Sequence, residues 1–244
     1  MHKPKFLTPD QVRKIAEIYG TPLYVYSEEK LRKSAEQALA FPNAYGLRVR
    51  YAIKANPNSY ILRLFDSMGI HFDASSEWEV RRLLHSGISG DKILLTAQEM
   101  AKGLADLLAK GMIFNASSLH QLESYAKKYP GTSLSVRINP GIGSGHANRA
   151  NVGGPSSSFG IWIDYIDKIK ALAKHYDLRI SRLHSHIGSG SDPAVWEKVS
   201  KMNLDLVREF PDVEILNMGG GFKIGRMPGE QSSDLQVLGA RVKH

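Results

Sequence analysis

Extended runs rich in β-branched and aromatic residues begin near Val49, Ile70, Lys92, Met112 and Leu134, 20–22 residues apart, and each gap carries the apolar spacing of a helix. So regular an alternation restricts the chain to parallel strands joined by crossover helices. The first gap holds Ile61, Leu62, Leu64, Phe65 and Met68 before Gly69; the next opens with the capping box Ser76 to Glu79, carries Val80, Leu83 and Leu84, and stops at Gly87. Two further helices end at Gly111 and Pro130. After the strand Leu134 to Ile138 comes a Gly/Ser/Asn-rich stretch, residues 139–158, longer than a mere connector and so expected to be functional. The alternation resumes with helix Asp164 to Lys174, strand Leu178 to His184, helix Pro193 to Phe210, strand Val213 to Asn217 and a last helical segment towards His244. That makes seven strands.

Residues 1–46 read as a separate lead-in, with residues 47–244 as the β/α unit. The lead-in opens with a helix capped by Thr8 and Gln11, with Pro9 at its first position and Gly20 at its stop; a short strand, Leu23 to Tyr26, and a helix capped by Ser27 follow.

Seven such strands fit an open doubly wound sheet or most of a (β/α)₈ barrel, and 244 residues suit one large barrel domain. What favours the barrel is that polar or glycine residues end nearly every strand: Lys54, Asp73 to Ser76, Asn115, Arg137 to Asn139, His184 to His186 and Gly219 to Gly221. In a barrel these ends converge on one site.

With no cysteine in the chain, a disulfide scaffold, a thiolate zinc site, an iron–sulfur cluster and a cysteine nucleophile are all excluded. The net charge of +8 is spread through pairs such as Arg81-Arg82 and Lys127-Lys128, which read as solvated helix faces and not as a nucleic-acid surface. No apolar run approaches the ~20 residues of a membrane span, and the start MHKPKFLTPD lacks the apolar core of a signal peptide, so a cytoplasmic location is expected.

Three features carry chemistry. Lys54 ends a strand in YAIKANPN, facing a barrel mouth; an amine in a desolvated, cation-rich site loses its proton readily and attacks aldehydes or ketones, although the same residue also reads as an exposed strand-end lysine. Gly219-Gly220-Gly221 follow the seventh strand, where barrels commonly bind phosphate, although a glycine triplet is also a flexible turn. In HSHIGSGSD, His184 and His186 share a face; without a carboxylate-rich partner motif no metal site is expected, and a flat imidazole stacking on a planar ring, beside Ser189 and Gly190 for phosphate, fits better.

Taken in order, YAIKANPN, FDASSEWE, RINPGIGSGH, SSFGI, HSHIGSG and NMGGGF resemble the fold-type III pyridoxal-phosphate decarboxylases, most closely those acting on diaminopimelate, over nearly the whole chain. The resemblance implies an alanine racemase-like (β/α)₈ barrel with pyridoxal 5'-phosphate as cofactor. It makes Lys54 the Schiff-base lysine and His186 the ring-stacking residue, gives the phosphate to Ser189, Gly219, Gly220 and Gly221, and sets Asp73 and Arg137 near the cofactor. It implies decarboxylation of a diamino acid, meso-diaminopimelate to L-lysine and CO₂, with ornithine, arginine and carboxynorspermidine as alternative substrates and a homodimer as the full-length form. A barrel-only carrier of the cofactor is the competing reading from another class, and its length is in its favour.

The sequence also departs from the family. Its Glu-Pro-Gly-Arg motif on an eighth strand, which supplies the acidic partner of the cofactor's ring nitrogen, is absent, as are the cysteine motif and tyrosine of its β-rich C-terminal domain; Pro228-Gly229-Glu230 has the wrong order to replace the first. Ser158 stands where the family has lysine in SKFG. The expectation is therefore an incomplete barrel, the N-terminal part of a longer enzyme, with little or no activity by itself.

Overall fold

The computed structural model describes residues 6–141, 154, 157–188, 192–225 and 229–243. Two helices lead in, α1 (Pro9–Tyr19) and α2 (Glu28–Leu39). The strands β1 (Arg50–Ala52), β2 (His71–Ala74), β3 (Ile93–Leu95), β4 (Ile113–Ala116) and β5 (Ser133–Asn139) then alternate with α3 (Ser59–Ser67), α4 (Glu77–His85), α5 (Leu104–Ala109) and α6 (Leu119–Lys128). After β6 (Ile161–Trp162) come α7 (Ile166–His175), β7 (Arg179–His184), α8 (Pro193–Arg208), β8 (Ile215–Asn217) and α9 (Leu235–Val242). The hydroxyls of Thr8, Ser27 and Ser76 close their helix starts as expected, and the Ser118 hydroxyl and the side-chain oxygens of Asn58, Asp192 and Asp234 likewise accept from first-turn N–H groups.

All pairings are parallel, and the sheet runs β1-β2-β3-β4-β5-β7-β8. The seven strands on this path are the seven read from the sequence. Two details differ. β6 adds a two-residue pairing to the end of β5, Ile138 with Ile161 and Asn139 with Trp162, too short to show as a periodic run. Residues 23–26 form no strand: they run extended between α1 and α2 without a ladder partner among the described residues, so the apolar Leu-Tyr-Val-Tyr pattern there reflects local extension alone.

Alternation along each strand sorts the side chains into two environments. Phe72, Leu95, Leu134, Val136, Ile138 and Leu183 point outwards and pack with Leu62, Leu83, Leu107, Leu122 and Ile169 of the helices into one core. Each such side chain, when fully buried, contributes about 1.5–3 kcal/mol. The opposite face of the sheet is polar: Arg50, Asp73, Thr96, Arg137 and His184 all border one cavity.

Among the described residues β1 and β8 do not pair, so the curled sheet has two free edges. Residues 48–52 on one side and 213–217 on the other line the same cavity of about 2300 Å³. Outside this opening α9 rests on the end of α2: Gln236 Nε2 donates to the Ala40 carbonyl at 3.0 Å, and Gly239 lies so close to Pro42 that a Cβ there would meet its ring at 2.3 Å. Among the described residues no helix is long and apolar enough to cross a membrane.

Candidate functional site

The ends of the strands bring Lys54, Asp73, Arg137, His184, His186 and the glycines to one cavity, whereas Asn115 and Asn139, expected there too, are buried outside its lining. Lys54 sits in a single 3₁₀ turn that follows β1, where the fully buried Ile53 anchors the turn and leaves the lysine exposed at the cavity wall. Asp73 projects from β2 into the same space. Burial pushes its carboxyl up to about 6, against the pull of Arg50, the Thr96 hydroxyl, Arg137 and Lys54. Arg137 on β5 is 6% exposed, and its guanidinium lies 5.0 Å over the Phe159 ring. Burial lowers its value to about 10, which leaves it a cation at neutral pH.

The two histidines occupy different levels. His184 ends β7, is 6% exposed, and contacts Asn115 of β4 at 2.8 Å. His186, two residues on, meets the glycine loop, where its Nδ1 accepts from the Gly220 N–H at 3.3 Å, so that a neutral ring carries its proton on Nε2. Burial, with Arg137 and Lys54 nearby, lowers His186 to about 4; burial also holds His184 well below the usual imidazole range. Both rings are neutral at pH 7.

The loop after β8 is shaped around glycine. Gly219 has φ +74°, and a Cβ there would meet His186 Nδ1 and the Ser185 carbonyl, each at 2.7 Å. Its N–H donates to Asn217 Oδ1 at 2.9 Å, which turns the chain towards Gly220 and Gly221 at the cavity wall. Among the described residues no atom lies within 4 Å of a Cβ at Gly220, so its backbone is open on that side. Ser189 and Gly190, and most of the 139–158 stretch, lie outside the described residues. Ser158 is described, and its hydroxyl accepts from Gln98 Nε2 at 3.1 Å.

Sequence reasoning passed over Arg50 and Thr96. Arg50 donates to the carbonyls of Phe72 and Lys92 at 3.1 and 3.0 Å; its signal was a charge in phase with Ala52 and Lys54 on an otherwise apolar strand. Thr96 follows a run of buried apolar residues and gave no comparable signal. Among the described residues no group of three or more His, Asp or Glu side chains could hold a metal ion.

The family model described as "Pyridoxal-dependent decarboxylase, pyridoxal binding domain" matches residues 29–241. The chain belongs to this family of pyridoxal-binding domains. Diaminopimelate decarboxylase of Streptomyces coelicolor is 34% identical over 237 residues, covering 95% of this domain and 53% of that protein. A crystal structure of a diaminopimelate decarboxylase superposes with TM-score 0.85 at 29% identity, over 93% of this domain and 54% of that chain. Another, from M. jannaschii in complex with L-lysine, superposes with TM-score 0.83 at 25% identity, over 95% and 58%. The pyridoxal-binding domain spans about half the length of the curated relatives it matches. Its cofactor is pyridoxal phosphate, and the cavity fits that group: a primary amine at a strand end, a neutral imidazole, a buried guanidinium and a glycine loop open at Gly220 meet there.

The opposed shifts of Asp73 and the histidines give the domain a measurable acid response. A carboxyl raised to about 6 costs stability as pH climbs from about 4 to 6, whereas the lowered histidines cost stability as pH falls below about 6.5. Near pH 5 unfolding then delivers protons to the histidines and releases about one from Asp73. In Asp73→Asn the release is gone, so the unfolding free energy should depend on pH more steeply by roughly 1.4 kcal/mol per pH unit. Urea titrations at several pH values between about 4.5 and 5.5 measure both slopes; parallel slopes would refute the buried, raised carboxyl.

Proposed function

We propose that this domain is the cofactor-binding part of a diamino-acid decarboxylase that converts meso-diaminopimelate to L-lysine and CO₂. The observation that carries the reading is the convergence of Lys54, Arg137, His186 and Gly219 to Gly221 on one cavity, and the 34% identity to a diaminopimelate decarboxylase supports the substrate. In this reading Lys54 Nζ would be the group that holds the cofactor's aldehyde carbon covalently. Gly219, Gly220, Gly221 and Ser189 would hold its phosphate, His186 would be the ring-stacking residue, and Asp73 and Arg137 would set the charge around it. Pyridoxal phosphate, when bound, supplies the sink for the electron pair left behind as the α-carboxylate departs as CO₂; a proton then takes that carboxylate's place on the carbon.

The neutral state of His186 suits contact with a flat ring, since an imidazolium would repel a protonated pyridine. Arg137 remains a cation within reach of a substrate carboxylate, and its stacking on Phe159 restricts where it points. The same reading takes residues 47–244 as the cofactor-binding unit of a cytoplasmic homodimer whose remaining length completes the pocket. The test uses a longer polypeptide that includes this domain, loaded with pyridoxal phosphate and offered diaminopimelate, ornithine, arginine and carboxynorspermidine in turn. The expected kcat/KM for CO₂ release is on the order of 100-fold higher for diaminopimelate than for the others. A preference for another of the four overturns the substrate, and release from none overturns the reaction.

A further inference from the structure

Four strands are joined across the polar face of the sheet by hydrogen bonds that the decarboxylase reading leaves unused. Asn115 Nδ2 on β4 reaches His184 Nδ1 on β7 at 2.8 Å and Thr96 Oγ1, just past β3, at 3.1 Å. Thr96 Oγ1 in turn donates to Asp73 Oδ2 on β2 at 3.5 Å. Asn115 is 0% exposed, and its Oδ1 is buried without a partner among the described residues.

The donor count fixes the direction of every bond in this run. Asn115 Nδ2 has two hydrogens, one for each neighbour, so His184 Nδ1 must be bare and its proton must sit on Nε2. Thr96 accepts from Asn115 and therefore has its own hydroxyl hydrogen for Asp73, whose Oδ2 must be an acceptor. A proton placed on Oδ2 breaks that pattern. Thr96 then accepts from Asp73, and its own hydrogen stays paired within this run only if it turns to Asn115, which presents oxygen in place of nitrogen. A planar amide does so by turning over about its own bond, and His184 can keep its contact only by donating from Nδ1.

We propose that Asp73, Thr96, Asn115 and His184 form a two-state relay across the barrel, in which Asp73 takes its proton on Oδ2, the oxygen that faces Thr96, and this reverses all three hydrogen bonds and moves the His184 proton from Nε2 to Nδ1. The balance is one proton taken from solvent by Asp73; His184 exchanges its proton between ring nitrogens with no net gain. The ionised arrangement is the ground state at neutral pH for two reasons. Asp73 is faced by Arg50 and Lys54 from the β1 side and by Arg137 from β5, all favouring the carboxylate. The reversed arrangement would also bury an unpartnered amide N–H₂ where the present one buries a carbonyl oxygen, the less costly orphan. Around His184 stand Arg137, His186 and Arg50, which keep its ring neutral in both states. Thr96 and Asn115 are thus positioning residues. That they tune the charge beside Lys54 during turnover rests on the decarboxylase reading; the relay does not.

The experiment reads the tautomer directly. Long-range ¹H–¹⁵N spectra of the 244-residue chain, labelled in histidine and without added cofactor, assign His184 by its loss in His184→Gln and report which ring nitrogen is bare. Carboxyl ¹³C shifts follow Asp73 in the same samples. Above the Asp73 transition the bare nitrogen is expected to be Nδ1; below it, Nε2, with the two changes sharing one midpoint. In Thr96→Val, Asp73 still titrates but the His184 tautomer no longer follows it. A wild-type tautomer unchanged through the Asp73 transition overturns the relay, as does a Thr96→Val chain in which the two still move together. No cofactor or substrate enters the measurement, so a negative result leaves the decarboxylase reading intact, and loss of that reading leaves the relay intact.

Discussion

Replacing Lys54 with alanine is expected to abolish covalent capture of pyridoxal phosphate: after borohydride reduction, the wild-type chain carries one label that maps to the peptide containing Lys54, and the variant carries none. Lys102 and Lys243 also border the cavity, but Lys54 alone of the three acts electrically on both Asp73 and His186, the groups of the cavity that burial shifts furthest among those it touches. Its backbone is anchored by fully buried Ile53, so the side chain always starts from the same place on the cavity wall. Because the side chain is exposed to the cavity, its removal should change stability by less than about 0.5 kcal/mol, which separates loss of attachment from loss of fold. A label recovered on Lys102 or Lys243 in the wild type would overturn the assignment.

The second large effect concerns turnover. Residues 1–244 by themselves should release CO₂ from diaminopimelate on the order of 10²–10³-fold more slowly than a longer polypeptide that contains them. A cavity of about 2300 Å³ exceeds the ~300–1,000 Å³ usual for a ligand pocket, and it extends to β1 and β8, which do not pair with each other among the described residues. Water entering there reaches exposed Lys54 and the space beside it, where charges act strongly only in a dry site. The same two free edges favour association between copies. Equal rates from monodisperse preparations of the two polypeptides would show that the opening does not matter.

The strand order and the grouping of Lys54, Asp73, Arg137, His186 and the glycines were legible because both follow from periods: the 20–22-residue repeat sets neighbours, and polar residues at strand ends fall together once the strands lie parallel. β6 escaped because two residues make no period. The apolar pattern of Leu23 to Tyr26 misled because strand identity needs a partner, and pairing is a tertiary fact. Thr96 was invisible for a different reason. Its role comes from Asn115 and Asp73, 19 and 23 residues away, and nothing local to Leu94-Leu95-Thr96 distinguishes it from any other strand end.

The apolar side chains that hold this fold lie between the sheet and its helices, and the inner face was left to arginine, aspartate, asparagine and histidine. Cohesion and chemistry therefore draw on different residues of the same strands, in alternation: Phe72 beside Asp73, Val136 beside Arg137, Leu183 beside His184. Heredity can exploit such a division of labour. A mutation on the inner parity rewrites which molecule is recognised while the outer parity still assembles the shell, so a lineage can explore new substrates through single steps whose carriers remain folded.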